Sequence, residues 1–176
     1  MYPVIRSLVA LSRARRMDKL PLDGTDETVV RVSLADIDMF LELNNGRTLT
    51  LYDIGRFTLS VRVGLIPVLR RNRWGLAVAG VSVRYRARIR AFQKIRIRTR
   101  AIGRDDKFIY LEQAIWRGGT PCSHMLIRTA VTGPNGIVPT DRVLAEIGRD
   151  GDLPAMPDWA RAWTGADIER PWPPDF

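Results

Sequence analysis

Thr28-Val-Val-Arg-Val-Ser-Leu-Ala-Asp36-Ile-Asp38-Met-Phe-Leu-Glu42-Leu-Asn44-Asn45-Gly46-Arg47 decides how the chain is read. Val30, Val32 and Leu34 alternate with Arg31, Ser33 and Ala35, which predicts a half-buried strand from Thr28 to Ala35. Two acids at i,i+2 follow, and Asn44-Asn45 then opens a long apolar segment that reads as a helix. An acid just ahead of a helix N-terminus combines a proton acceptor or nucleophile with free N–H donors and the positive end of a helix dipole. Those ingredients suit attack on a carbonyl and stabilisation of the oxygen charge that develops.

The segment Gly46–Leu65 is apolar on nearly every side (Leu49, Leu51, Tyr52, Ile54, Phe57, Leu59, Val61, Val63), as expected of a helix buried under a sheet. Gly55 in its middle predicts close approach of the sheet backbone. Beyond Pro67 and the basic stretch Arg70-Arg71-Asn72-Arg73, four strands are expected. Val81 to Ile89 and Lys94 to Ala101 alternate apolar with arginine, and Phe92-Gln93 suits a hairpin between them. Phe108–Trp116 and Cys122–Thr132 follow, separated by Gly118-Gly119. The order of strand, buried helix and four antiparallel strands predicts an α+β fold: one long central helix wrapped by a five- to six-stranded antiparallel sheet.

The flanks divide off as an N-terminal extension, 1–24, and a C-terminal extension, 151–176, around a domain at 25–150. In the first, Val4, Ile5, Leu8 and Leu11 stripe one face of a helix expected to dock on the domain, with peripheral membrane contact as the alternative. A short helix is expected with Thr140 or Asp141 as its N-cap, another carries Trp159 and Trp163 at i,i+4, and Pro171–Pro174 reads as an extended tail.

At 176 residues the chain suits one domain, and its 45% hydrophobic content argues against disorder. No apolar run reaches the roughly 18–20 residues of a membrane span, and the N-terminus makes a poor signal peptide. A single Cys122 and a single His124 argue against a zinc site, so a cytoplasmic, metal-free protein is expected. The formal net charge is +9, supplied almost wholly by arginine, which favours an anionic partner. Nucleic acid is disfavoured, because the arginine rows 84–90 and 96–100 lack interleaved exposed aromatics. Cys122 and His124, at i,i+2 in a strand, are geometrically able to pair on one face.

The order of elements, with Asp36-Ile37-Asp38 ahead of Asn44-Asn45 and the helix Tyr52-Asp-Ile-Gly-Arg-Phe57, resembles the hotdog-fold acyl-CoA thioesterases of the 4-hydroxybenzoyl-CoA thioesterase type over about Val29–Thr132. Tyr85 and Tyr110-Leu-Glu-Gln113 make it most similar to the thioesterase-like branch containing thioesterase superfamily member six. The resemblance implies hydrolysis of acyl-CoA thioesters, with Asp38 as nucleophile or general base and with no cofactor beyond the coenzyme A of the substrate. It also implies a homodimer or homotetramer with its site where two subunits meet. Substrate contacts fall to Asn44, Asn45, Gly46 and Ser82, and Asp36 reads as a turn or capping residue. The phosphate candidates are Arg70, Arg71, Arg73 and Arg90. The chain departs from the family pattern at Leu41 (often glycine), Glu42 (often histidine) and Thr48 (often tyrosine), which leaves a non-catalytic acyl-CoA or lipid-binding module as the alternative function.

Overall fold

The computed structural model describes residues 3–148 and 152–174. Six helices and six strands follow one another: α1 (Val4–Ala14), β1 (Asp26–Arg31), a 3-10 turn (Leu34–Asp36), α2 (Asn45–Arg62), α3 (Leu65–Asn72), β2 (Gly75–Tyr85), β3 (Lys94–Arg104), β4 (Ile109–Arg117), β5 (Thr120–Gly133), β6 (Gly136–Ile137), α4 (Thr140–Ile147) and α5 (Asp158–Glu169), the 3-10 turn counting as the sixth helix. The sheet runs β1-β3-β4-β5-β2, all antiparallel, with the short β6 beside β5. This is the hotdog arrangement, a curved sheet around one long helix. No described helix is long and apolar enough to cross a membrane.

The core forms where α2 meets the concave face of the sheet. Leu51, Tyr52 and Ile54 pack against Ile95, Ile97, Ile115, Met125 and Ile127, all buried. Gly55 is required at that contact, because an added Cβ would sit 2.6 Å from Thr99 Oγ1 and 2.8 Å from Ile97 Cγ2. The crowding comes from sheet side chains and not from sheet backbone, as expected above. Beside Gly55, Gln113 Nε2 donates to Tyr52 O (3.0 Å) and Thr99 Oγ1 (2.8 Å), while its Oε1 accepts from Arg56. Asp53 pairs with Arg56 one turn away.

Two expectations fail for topological reasons. The helix ends at Arg62, because Gly64 adopts a left-handed conformation (φ 87°) and restarts the chain as α3, with Pro67 tolerated in the first turn. The basic stretch is therefore helical. The strand ends at Tyr85 and pairs with β5, so no hairpin joins it to β3. The arginine rows consequently never face each other. Arg96 and Arg98 lie beside Glu27 of β1, and Arg100 is 2.6 Å from Glu112 of β4. Opposite charges across neighbouring strands are the favourable case.

The flanks dock on the domain. α5 covers the convex face, where Ala160 and Trp163 pack with Ile102, Tyr110 and Leu126. Arg128 lies under α5, 2.7 Å from Asp167 and stacked near Phe108 and Trp163. In α4, Pro139 occupies the N-cap position expected for Thr140 or Asp141, and Thr140 instead spends its hydroxyl on Asp105 O. The helix α1 packs on α2.

Asp36 joins three of these elements. Its carboxylate, with no solvent exposure, accepts from Arg6 of α1 at 2.6 and 2.8 Å and from Arg47 of α2 at 2.8 Å, and also from the Ser33 amide and hydroxyl. Burial pushes the carboxyl upward, but the hydrogen bonds from Arg6, Ser33 and Arg47 outweigh it and hold it well below the usual carboxylate range. A depressed carboxylate stabilises the fold fully above its unfolded value near ~4, and the contribution is lost as pH falls through the folded value. Asp36→Asn is expected to cost about 3 kcal/mol at neutral pH. Thermal unfolding of both proteins as a function of pH checks this: the wild-type advantage should hold above about pH 4 and shrink below it.

Candidate functional site

The turn that carries Asp36 aims the next acid elsewhere. Ile37 and Leu43 form an antiparallel bridge, and Asp38 N donates to Glu42 O at 2.9 Å, so residues 37–43 make a small hairpin projecting from Asp36. At its base the Asp38 carboxylate is half-buried. Its Oδ1 accepts from Phe40 N at 2.9 Å, with Glu42 N farther off at 3.5 Å. No bond to its second oxygen is found among the described residues. One oxygen is thus tethered while the other stays available for chemistry.

That carboxylate lines a cleft of about 410 Å³ with Asn45 and Thr48 of α2, Tyr85 of β2, Arg86 and Arg88 just beyond it, and Ser123 of β5. Glu42 also lines the cleft, its Oε2 3.4 Å from Arg88 Nε. The back wall is fixed by Tyr52, whose buried hydroxyl sits 2.8 Å from Ser123 Oγ and whose ionisation burial pushes up. Burial likewise raises the Cys122 thiol. Tyr85 is also raised by burial and stays neutral at ordinary pH.

The helix N-terminus is less open than the sequence alone implies. Asn44 is the N-cap, and its Oδ1 accepts from Gly46 N (2.9 Å) and Arg47 N (3.2 Å). Thr48 N is bound to Asn44 O, so Asn45, which lines the cleft, is the residue of the first turn whose backbone N–H has no hydrogen-bond partner among the described residues. Gly46 is therefore a capping partner and does not line the cleft.

The other predicted residues scatter. Ser82 lies on the convex face of β2 beside Arg84, His124, Trp159 and Trp163, on the far side of the strand from Tyr85. Arg70 and Arg71 sit on α3 and Arg73 at its C-terminus, beyond the far end of α2, a helix roughly 27 Å long. Arg71 is engaged there by Glu146 at 2.6 Å. Arg90 is exposed in the segment after β2 and does not line the cleft, whereas Arg86 and Arg88 of the same segment do. Those two cations were not singled out from the sequence. Their alternation with Ala87 and Ile89 imitates a continued strand, while in the fold Arg86 N and Ala87 N both turn onto Cys122 O.

Cys122 and His124 do not share a face. A bulge opposite Ile115 and Trp116 breaks the alternation, leaving Cys122 in the core while His124 Nε2 reaches Glu112 Oε1 at 2.9 Å on the convex side. No group of three or more metal-ligating side chains is found among the described residues.

A second, more apolar cavity of about 250 Å³ lies at the opposite end of α2, between Phe57, Leu59, Leu76, Val78, Leu144 and Leu153. It is better enclosed than the Asp38 cleft, but the Asp53 and Arg56 charges at its mouth are spent on each other. Of the two, the Asp38 cleft is the one that carries a half-buried carboxylate with one oxygen untethered among the described residues.

Leu41 takes a left-handed backbone (φ 60°) at the hairpin turn, a conformation that favours glycine. This accounts for the glycine of the resembled pattern at that place.

With the geometry in hand, comparison with known proteins is specific. Protein THEM6 of Drosophila melanogaster is 42% identical over 79 residues, 44% of this chain and 41% of that protein. Protein THEM6 of Danio rerio is 35% identical over 83 residues, 47% and 41% of the two chains. The chain aligns with less than half the length of these curated relatives. A probable thioesterase from Bartonella henselae superposes with a TM-score of 0.60 at 18% identity, over 66% of this chain and 97% of that one. A DHNA-CoA thioesterase from Staphylococcus aureus gives 0.62 at 13% identity, over 82% and 91%. At such identities the structural likeness is one of fold. The model of the thioesterase-like superfamily matches residues 32–164, from the end of β1 into α5, and the chain belongs to that superfamily.

Proposed function

We propose that the protein hydrolyses acyl-CoA thioesters in the Asp38 cleft. The observation that carries the reading is the Asp38 carboxylate, tethered through Oδ1 to Phe40 N and open on its other oxygen, at the start of the buried helix. That oxygen takes a proton from an attacking water, whose oxygen bonds to the carbonyl carbon as the carbon–sulfur bond breaks. The proton passes to the departing coenzyme A thiolate and the carboxylic acid is released. Alternatively it attacks the carbonyl itself, expelling the thiolate and forming an acyl anhydride on Asp38 that a water then hydrolyses to the free acid and the restored carboxylate. Charge on the carbonyl oxygen would be met by Asn45, a lining residue whose backbone N–H has no partner among the described residues. Asp38→Asn keeps the shape and removes the base, so kcat is expected to fall about 10²–10⁴-fold in a steady-state assay across short, long and aromatic acyl-CoAs. Unchanged turnover in the variant removes Asp38 from the mechanism.

A non-catalytic acyl-CoA or lipid-binding module is the second reading, favoured by the occupied Gly46 and Arg47 amides and by Glu42, an added negative charge in the cleft. Saturable binding with no turnover of any acyl-CoA selects it.

The coenzyme A phosphates suit Arg86 and Arg88, which line the cleft, and the exposed Arg90 two residues on, better than the arginines of α3. Arg88→Ala with Arg90→Ala is expected to raise KM for acyl-CoAs by about tenfold, corresponding to the loss of one charge-assisted contact. Pantetheine esters, which lack those phosphates, should be spared.

The assembly proposed is a homodimer. β2 is an edge strand with Leu76, Val78, Val81 and Tyr85 exposed, an arrangement proteins normally cover. Pairing of two β2 edges removes one exposed edge from each sheet and walls each cleft with the second copy. Light scattering is expected to give twice the 20.0 kDa of the chain, or four times if dimers associate further.

A further inference from the structure

The N-terminal helix is packed the wrong way round for a surface helix. Its buried positions are Ser7 and Ala14, with Ala10 and Leu11 partly buried beside them, so the face turned to α2 is built mainly from small side chains. Its other large apolar residues point outward: Ile5 is 79% exposed and Leu8 60%, with Val4 and Val9 about half exposed. Of the stripe Val4, Ile5, Leu8 and Leu11 expected to dock, Leu11 alone is partly buried, and the other three face outward. An amphipathic helix normally spends such residues on its own domain. Small residues on the inner face let α1 lie close while Arg6, bound to Asp36 and Arg31 O, fixes its rotation. The outward face is held in place by an ion pair and is not a side-chain accident.

The apolar surface extends beyond α1. A groove of about 270 Å³ runs between the helix and the free edge of β1, where Ile5, Val9 and Met17 face Val29. At Asp36, where the first turn of α1 meets the 37–43 hairpin, Leu34 is exposed, and the hairpin tip presents Met39, Phe40 and Leu41 at 85%, 74% and 75% exposure. Basic residues border this surface. Arg13, Arg15 and Arg16 are exposed at the end of α1 and make no ion pair among the described residues. Arg15 and Arg16 follow Leu8 and Val9 at helical spacing, on the apolar side.

We propose that this face, α1 with the Met39–Leu41 tip, docks on an anionic lipid bilayer. Apolar side chains enter the boundary of the acyl region while arginines at the same level reach headgroup phosphates with their long stems along the surface. Charge selects this occupant. A second copy of the chain would set the Arg13, Arg15 and Arg16 cluster against apolar surface or against itself, whereas an anionic bilayer supplies both an apolar layer and the opposite charge. The surface chemistry stands independently of the thioesterase reading, but it would turn the Asp38 cleft, which shares Phe40 with the tip, toward acyl groups arriving from the membrane.

The test is co-sedimentation of the whole chain with phosphatidylcholine vesicles and with vesicles in which about one lipid in three is phosphatidylglycerol, at roughly 0.15 M salt. The expected result is at least about tenfold stronger partition onto the anionic vesicles. Ile5→Glu with Leu8→Glu should lower that partition by about tenfold or more. Arg13→Gln, Arg15→Gln and Arg16→Gln together should bring it down to the phosphatidylcholine level. All five side chains are exposed, and an unchanged thermal transition confirms that the variants fold. Enrichment on neither vesicle overturns the proposal, as does equal partition by the Ile5→Glu, Leu8→Glu variant. A smaller mass by light scattering for that variant with vesicle partition unchanged also overturns it, and reassigns the face to contact between copies.

Discussion

A carboxylate removed from water must be answered by positive charge, and Asp36 draws that charge from two different helices. Neither Arg6 nor Arg47 is fully buried, so each keeps part of its hydration while satisfying an anion that has none. The desolvation of Asp36 makes the arrangement unforgiving, since a buried charge with a partner missing is far costlier than an exposed one. α1, the strand exit and the start of α2 are consequently held to one point. The Asp38 cleft is built on the next two residues and inherits its position from that constraint.

The two acids separated by Ile37 therefore have opposite fates for a local reason. Asp36 has six donor atoms around it, from Arg6, Ser33 and Arg47, and no solvent, so it is fixed as an anion and has no lone pair to offer a substrate. Asp38 bonds chiefly to one backbone amide of its own hairpin, which orients it without saturating it. A carboxylate meant to attack or to accept a proton needs that partial freedom. The same hairpin needs a left-handed residue to turn back, and Leu41 accepts that conformation where glycine is the easier choice.

Local patterns were legible in the sequence, and non-local ones were not. The buried helix was readable because Leu51, Tyr52, Ile54 and Leu59 leave it no polar face, and its start because Asn44 is a capping residue, whereas the strand expected to Ala35 ends at Arg31 and the hairpin of residues 37–43 was not foreseen. The pairing of β2 with β5 was hidden, since alternation identifies a strand but carries no address for its partner, and the run through Ile89 outlasts the strand itself. The bulge at Cys122 inverts the facing of every residue counted through it, which parity cannot anticipate. Ser82 was misplaced for a related reason: its neighbours Val83 and Tyr85 do face the cleft side, and a strand sends adjacent residues to opposite faces.

The inverted face of α1 shows why hydrophobic stripes predict amphipathicity better than they predict orientation. Periodicity says that one side of the helix is apolar, and the usual inference that this side faces the domain rests on there being nothing else apolar to face. Here the orientation is decided by electrostatics, because Arg6 must reach Asp36 and only one rotation of the helix allows it. Ser7 and Ala14 are then the residues turned inward, and they are small enough to fit. The ion pair needed to neutralise one buried acid thus leaves Ile5 and Leu8 outside, and the surface chemistry of the protein follows from the interior requirement of its core.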